Sequence, residues 1–381
     1  MTPWGLYVHI PFCPYKCDYC DFVAVGGGAA VARWHEPYVA ALLAEAAHWL
    51  SVLRPAEPPV SVFYGGGTPT VLGAGPLAAL HRGLADRFGL PRDAEVTVEC
   101  NPGTVTAADL VRLRDAGIGR LSIGLQAAQD RLLAALGRRH TAAAFQEAWD
   151  GARRAGFGQI SADIMYALPG QDLTDVAATM ALLGRLRPEH VSAYGLQVEE
   201  GTPFFARARQ GRLALPTEDQ AAQQFACVRA SLTSAGYEHY EISNFALPGQ
   251  RCRHNLLYWC NADWLGLGVG AHSHWHGRRW ANTSRLAVYR DGLAAGRGWV
   301  QSEEAPDEVR ARSEGAFLGL RLLDGLDLAA YARRYGLPLD QAFPGAVERL
   351  VAEGLCEVAA GCLRLRPEAV AIANRAFVAF V

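Results

Sequence analysis

The sequence holds 381 residues, half of them hydrophobic, and carries a formal net charge of −2. That length suits one large domain plus a smaller appendage, with ample apolar surface for a sizeable core. The near-neutral balance gives no electrostatic reason to expect nucleic acid as a partner, and no apolar run is long enough to span a bilayer. The first ten residues show neither a basic leader nor a signal-type apolar stretch, so a reducing cytoplasm is expected. Cysteine usage agrees: three are clustered and six scattered, and an odd total of nine does not read as a disulfide framework.

Strand and helix alternate from the start to about residue 235. Short β-rich runs are predicted at Leu6–Ile10, Val60–Tyr64, Glu95–Cys100, Arg120–Leu125, Gln159–Tyr166 and His190–Val198. In the first helix Val39, Leu42, Leu43, Ala46, Leu50 and Leu53 fall on one face. Further helices are predicted over 75–88, 106–116, 141–155, 172–186 and 217–235. Six such units point to an α/β fold, a partial (β/α)6 barrel spanning 1–235. An irregular, aromatic and histidine-rich linker is expected over 236–299. From 300 to 381 helical patterns cover Asp307–Leu323, Asp327–Tyr335 and Ala346–Glu353, with Asp327 as an N-cap. A short Cys356–Val358 and Cys362–Leu365 hairpin precedes a final helix. This C-terminal domain reads as mainly helical and winged-helix-like, or equally as a helical cap on the barrel.

The strongest local signal is Cys13-Pro-Tyr-Lys-Cys17-Asp-Tyr-Cys20, directly after the first strand. Three thiolates at this spacing can ligate three irons of a [4Fe–4S] cubane and leave the fourth open. The amino and carboxylate groups of S-adenosylmethionine can chelate that open iron. An electron passed into the sulfonium then releases a 5′-deoxyadenosyl radical. Zinc is the alternative, but a structural zinc needs four protein ligands, and His9 sits inside the strand. The second signal is Gly65-Gly66-Gly67-Thr68-Pro69 after the second strand, where backbone groups can approach a ligand closely. In β/α barrels the loops after the strands gather at one mouth. Glu99, Gln126 and Asp163 lie at or near later strand ends, and a carboxylate in an apolar strand needs a partner. Ion pairs to Arg120 or Arg138 would also satisfy them.

Together these motifs, with Tyr7-Val-His-Ile-Pro-Phe, Glu99-x-Asn101-Pro102 and Leu136-Gly-Arg138, resemble the radical SAM family of oxygen-independent coproporphyrinogen oxidases and their relatives. The resemblance implies that Tyr7, Gly66, Gly67, Thr68, Glu99, Gln126, Arg138 and Asp163 line an S-adenosylmethionine pocket, with Cys13, Cys17 and Cys20 on the cluster. Oxidases of this family carry a further cysteine two residues after the third ligand, where this chain has Phe22, and a longer N-terminal extension. His254-Asn-Leu-Leu-Tyr258-Trp259 instead resembles the H-N-x-x-Y-W motif of the heme chaperone (HemW) branch. That branch implies heme as ligand, hemoproteins (respiratory ones among them) as acceptors, and a homodimer or peripheral membrane contact as open questions. An imidazole can ligate heme iron and aromatic rings can cover the macrocycle, which makes His254 the expected heme residue. A hydrogen-bonded structural histidine is the other reading. His272, His274 and His276 are further candidates, or one solvent-facing side of an extended segment. Oxidative decarboxylation of coproporphyrinogen III, or a radical methyl transfer, are the competing functions.

Overall fold

The computed structural model describes residues 3–381. The six predicted strands form as β1 (Trp4–Ile10), β2 (Ser61–Gly66), β3 (Glu95–Cys100), β4 (Arg120–Gln126), β5 (Gln159–Tyr166) and β6 (His190–Gly195). Each pairs in parallel with the next. Helices α1 (Gly28–Leu53), α2 (Ala74–Phe88), α3 (Ala107–Asp115), α4 (Ala142–Arg154) and α5 (Leu173–Leu186) run between them, and α6 (Glu218–Ser234) follows β6. Three helix starts are fixed by reciprocal capping boxes, Thr106 with Asp109, Asp172 with Asp175 and Thr217 with Gln220.

Alternation along each strand separates two environments. One set, including Leu6, Val8, Ile10, Val62, Val96, Val98, Leu121 and Ile123, is fully buried in the main core with the helices. The opposite set is polar: Thr97, Glu99, Arg120, Ser122, Ser161, Asp163, His190 and Ser192 line an interior cavity. A solid apolar barrel interior would leave no room for a ligand. This one is hollow and polar-lined.

The sequence predicts an irregular linker over 236–299, and here the structure differs. That segment forms β7 (Glu238–Glu241), β8 (Asn244–Ala246), α7 (Arg253–Trp259), β9 (Asp263–Leu267), β10 (His272–Trp275), β11 (Arg278–Asn282) and α8 (Leu286–Ala294). With β12 (Val300–Glu304) these strands extend the sheet on both sides, in the order β12-β11-β10-β9-β1-β2-β3-β4-β5-β6-β8-β7. Strand β9 pairs in parallel with β1, so seven parallel strands are contiguous, and the outer ones are antiparallel. The strands are three to five residues long, and β9 finds its partner more than 250 positions upstream in β1. Such short runs joined by non-local pairing carry little local signal.

After β12 the chain builds a second, smaller core around Leu320, Tyr331, Leu350, Leu355, Leu363 and Phe380. It contains α9 (Glu308–Gly319), α10 (Leu328–Tyr335) and α11 (Ala346–Ala352), with a sheet of β13 (Leu326–Asp327), β14 (Cys356–Ala359) and β15 (Cys362–Leu365). Asp327 caps α10 by accepting from the Ala330 N–H at 2.8 Å. This domain grips α7 from below: Arg334 donates to the Cys260 carbonyl at 2.7 Å, and the Arg321 guanidinium lies 4.2 Å over the Trp259 ring. No helix among the described residues is long and apolar enough to cross a membrane.

Candidate functional site

The loops after β1 and β2 meet at the mouth formed by the strand ends. Phe12–Cys13 pairs with Val25–Gly26 in a short parallel ladder, which ties down both ends of the cysteine loop. Its middle is anchored by Asp18, whose N–H donates to Leu136 O at 3.2 Å and whose carboxylate pairs with Arg207 at 2.5 Å. Tyr15 accepts from the Arg139 N–H at 2.8 Å and Tyr19 from the Arg138 guanidinium at 3.0 Å. Cys13, Cys17 and Cys20 are half-buried free thiols on one cavity of about 740 Å³. Burial raises all three above the ordinary thiol range, and the nearby Arg138 charge opposes that shift.

Gly66, Gly67, Glu99, Gln126, Arg138 and Asp163 line the same cavity. The sequence predicts that the glycine run leaves backbone groups open to a ligand, and the structure uses them otherwise. The Gly66 N–H donates to Glu99 at 3.1 Å, Gly67 to Ile10 O at 2.8 Å and Thr68 to Phe12 O at 2.8 Å. A Cβ on Gly67 would stand 2.7 Å from the Phe12 carbonyl oxygen. The glycines therefore let β2 press against the cysteine loop. Gly67→Ala is expected to cost about 2 kcal/mol through overpacking, read as a lower denaturation midpoint of the apo chain. An unchanged midpoint would show that the loop yields freely.

Thr68 and Tyr7 do not line this cavity. The Thr68 hydroxyl accepts from Asn101 at 2.7 Å and lies 3.6 Å from the Cys13 sulfur, so it supports the cysteine loop. Tyr7 bonds His9 Nδ1 at 3.1 Å and opens onto a separate cleft described below.

The cavity's electrostatics favour a cation that also carries an anionic or acceptor end. Asp163 accepts from Ser122 at 2.8 and 2.9 Å, and Glu99 accepts from the Gly66 N–H, so neutral groups hold both carboxylates. Burial, then the neighbouring Asp163, pushes Glu99 up to about 8. Arg138 donates to Asn101 at 2.6 Å, and its buried Nε has no partner among the described residues. Gln126 is held at φ +65° at a bulge in β4, a conformation costly for a non-glycine residue. These residues fit an amino acid-bearing sulfonium nucleoside, and three thiols on one short loop fit a cluster with one iron left open, since Cys100 and Cys252, which also line the cavity, are buried on other elements.

His254 does not reach this cavity, and the structure overturns its expected exposure to a porphyrin. It lies on α7, which plugs the end of the barrel opposite the cysteine loop, and it is 1% exposed. Nδ1 bonds Ser61 Oγ at 2.8 Å, Nε2 bonds Tyr258 OH at 2.9 Å, and the ring stacks on Phe63. Both nitrogens are engaged, so neither can ligate iron in this conformation. Burial pushes its pKa down to about 3, which keeps the ring neutral. Glu95 secures the plug by accepting from the Arg253 and His254 N–H groups, each at 3.0 Å. Of the other candidates, His274 is buried and bonds Ala262 O at 2.9 Å, and His276 pairs with Asp263 at 3.0 Å. His272 is exposed.

Sequence reasoning missed the barrel floor. Arg120, His190, Ser192 and Cys252 line the cavity from below. The period-two placement of Arg120 and Ser122, Ser161 and Asp163, and His190 and Ser192 was the available signal.

Residues 7–183 match the Radical SAM superfamily and residues 310–372 the HemN C-terminal domain. The chain is 35% identical over 379 residues to the heme chaperone HemW of Bacillus subtilis, covering 98% of each chain. It is 38% identical to the Mycobacterium tuberculosis protein of that name, over 86% of this chain and 84% of the relative. Among solved structures, coproporphyrinogen III oxidase (HemN) of Escherichia coli superposes with a TM-score of 0.86 at 23% identity, covering all of this chain and 90% of that one.

Proposed function

The chain belongs to the HemW family of radical SAM proteins, and from that premise we propose that it binds heme and delivers it to acceptor hemoproteins in the cytoplasm. The observation that carries this reading is the end-to-end match to a protein named heme chaperone, at 35% identity. The likeness to the oxidase is one of fold, at 23% identity. Phe22 also stands where the oxidases of the family carry their extra cysteine.

Cys13, Cys17 and Cys20 would hold a [4Fe–4S] cluster, and Gly66, Gly67, Glu99, Gln126, Arg138 and Asp163 the S-adenosylmethionine beside it. Bound together, these groups supply one-electron reductive chemistry at a sulfonium. The chain's own contribution is charge and fit. Asp163, and Glu99 once a bound cation draws off its proton, would set negative charge against that cation, and the Arg138 Nε, without a partner among the described residues, offers a donor to an acceptor end.

This arrangement has a pH signature. Glu99 keeps its proton to about pH 8 in the unliganded fold but loses it near 4.5 when unfolded. Its contribution to stability therefore falls as pH rises between those values. A bound cation favours the ionised form, so S-adenosylmethionine affinity should rise about tenfold per pH unit towards pH 8. Calorimetric titrations across that range check this, with Glu99→Gln expected to flatten the dependence. A parent protein whose affinity ignores pH would contradict it.

The functional test gives the anaerobically reconstituted protein heme and, separately, coproporphyrinogen III. Saturable heme binding without protoporphyrinogen formation is expected. Turnover of coproporphyrinogen would make it an oxidase.

A further inference from the structure

We propose that a second cleft, which shares Asp21 and Phe22 with the main cavity, seats a metalloporphyrin, and that His272 supplies the imidazole ligand to its metal. This deepens the heme-binding reading and rests on it.

The cleft has a volume of about 400 Å³, within the range of small-molecule sites. Four aromatic side chains, Tyr7, Phe22, Tyr258 and Trp264, line it, with His272 beside them. Tyr258 and Trp264 pack edge to face at 4.9 Å between centroids, giving a rigid corner of two rings. Phe22 is 57% exposed. A single exposed phenylalanine is ordinary on a protein surface. This one borders both the cleft and the cysteine-lined cavity, so a flat apolar ligand in the cleft would cover it within reach of the cluster loop.

His272 is the imidazole in this region suited to a metal. His9 is tied to Tyr7 and, at 2.8 Å, to Val23 O. His254, His274 and His276 are engaged as described above. The His272 ring is exposed and makes no hydrogen bond among the described residues, while its backbone is fixed. Its carbonyl accepts from Trp264 Nε1 at 3.0 Å, and the residue pairs with Ala281 on β11. An imidazole held on a fixed strand end could ligate a heme iron.

Charge at the rim fits the porphyrin's carboxylates on one side. Lys16 Nζ donates to the Phe22 carbonyl at 3.2 Å, which holds an exposed ammonium on the main-cavity side of Phe22. Asp21 lies on the same cleft, so the carboxylate edge of the ligand would face Lys16 and turn away from Asp21. The H-N-x-x-Y-W motif thereby divides its work. His254 holds the barrel floor, and Tyr258 presents a ring to the cleft.

The test titrates ferric heme into the full chain with its reconstituted cluster, and into His272→Ala, His272→Gly and Phe22→Ala. All three substitutions fall on exposed side chains. Electron paramagnetic resonance and resonance Raman spectra read imidazole ligation apart from cluster absorption. His272→Ala is expected to lose that signature and at least about tenfold in affinity. Free imidazole should restore the signature in His272→Gly. Phe22→Ala is expected to keep the signature and bind several-fold more weakly. If the parent binds heme and His272→Ala retains both signature and affinity, the site assignment falls while the heme reading stands. If the parent binds no heme, both fall.

Discussion

Replacing any one of Cys13, Cys17 or Cys20 by serine will bring iron and sulfide after anaerobic reconstitution close to background, while the chain remains folded. On the proposed assignment three thiolates would make up the protein's contribution to the cluster, so loss of one would remove a third of the ligation. The fold does not depend on them. All three are free thiols, and the loop is held independently by the Asp18–Arg207 pair, the Asp18 N–H to Leu136 bond and the Phe12–Cys13 ladder to Val25–Gly26. Iron and sulfide analysis with circular dichroism on each variant checks this. Cluster content retained in the single variants would mean that the metal sits elsewhere.

His254→Ala will destabilise the apo chain by an amount on the order of 3 kcal/mol, an effect that needs no heme. The substitution leaves a void against Phe63 and strips Ser61 Oγ and Tyr258 OH of their partner inside the barrel floor. The parent histidine also has a pH signature of its own. Its folded pKa near 3 lies below the ordinary 6.5, so the unfolded chain binds the extra proton between those values. Stability therefore falls as pH drops through that window, and the variant should lose part of that acid sensitivity. Denaturant titrations at neutral and mildly acid pH measure both effects. A variant as stable as the parent, with altered heme spectra only, would return His254 to the role of ligand.

The barrel was legible because its units are local. Glu95–Cys100 and Gln159–Tyr166 are predicted and observed with the same ends, and the helices differ by about one residue. The cysteine loop was legible because three like ligands sit within eight residues of one another. The heme motif was harder. In sequence, His254 carries the same chemistry whether it points at solvent or into a barrel. Its direction is set by Ser61 and Glu95, both more than 150 positions away. The glycine run reads as a ligand cradle in sequence, since nothing local reveals that the Ile10 and Phe12 carbonyls already occupy the Gly67 and Thr68 N–H groups. In each of these cases, the misread property belonged to a partner distant in the chain.

On the proposed assignment the thiol loop would leave one iron open towards a cavity whose carboxylates, Glu99 and Asp163, suit a cation. Mössbauer spectra of the reconstituted protein, recorded with and without S-adenosylmethionine, test it most directly. Addition of the nucleoside should shift about a quarter of the iron signal to a distinct site, and Glu99→Gln should weaken the concentration dependence of that shift. Four irons that stay equivalent at saturating S-adenosylmethionine would mean that the nucleoside does not bind the cluster.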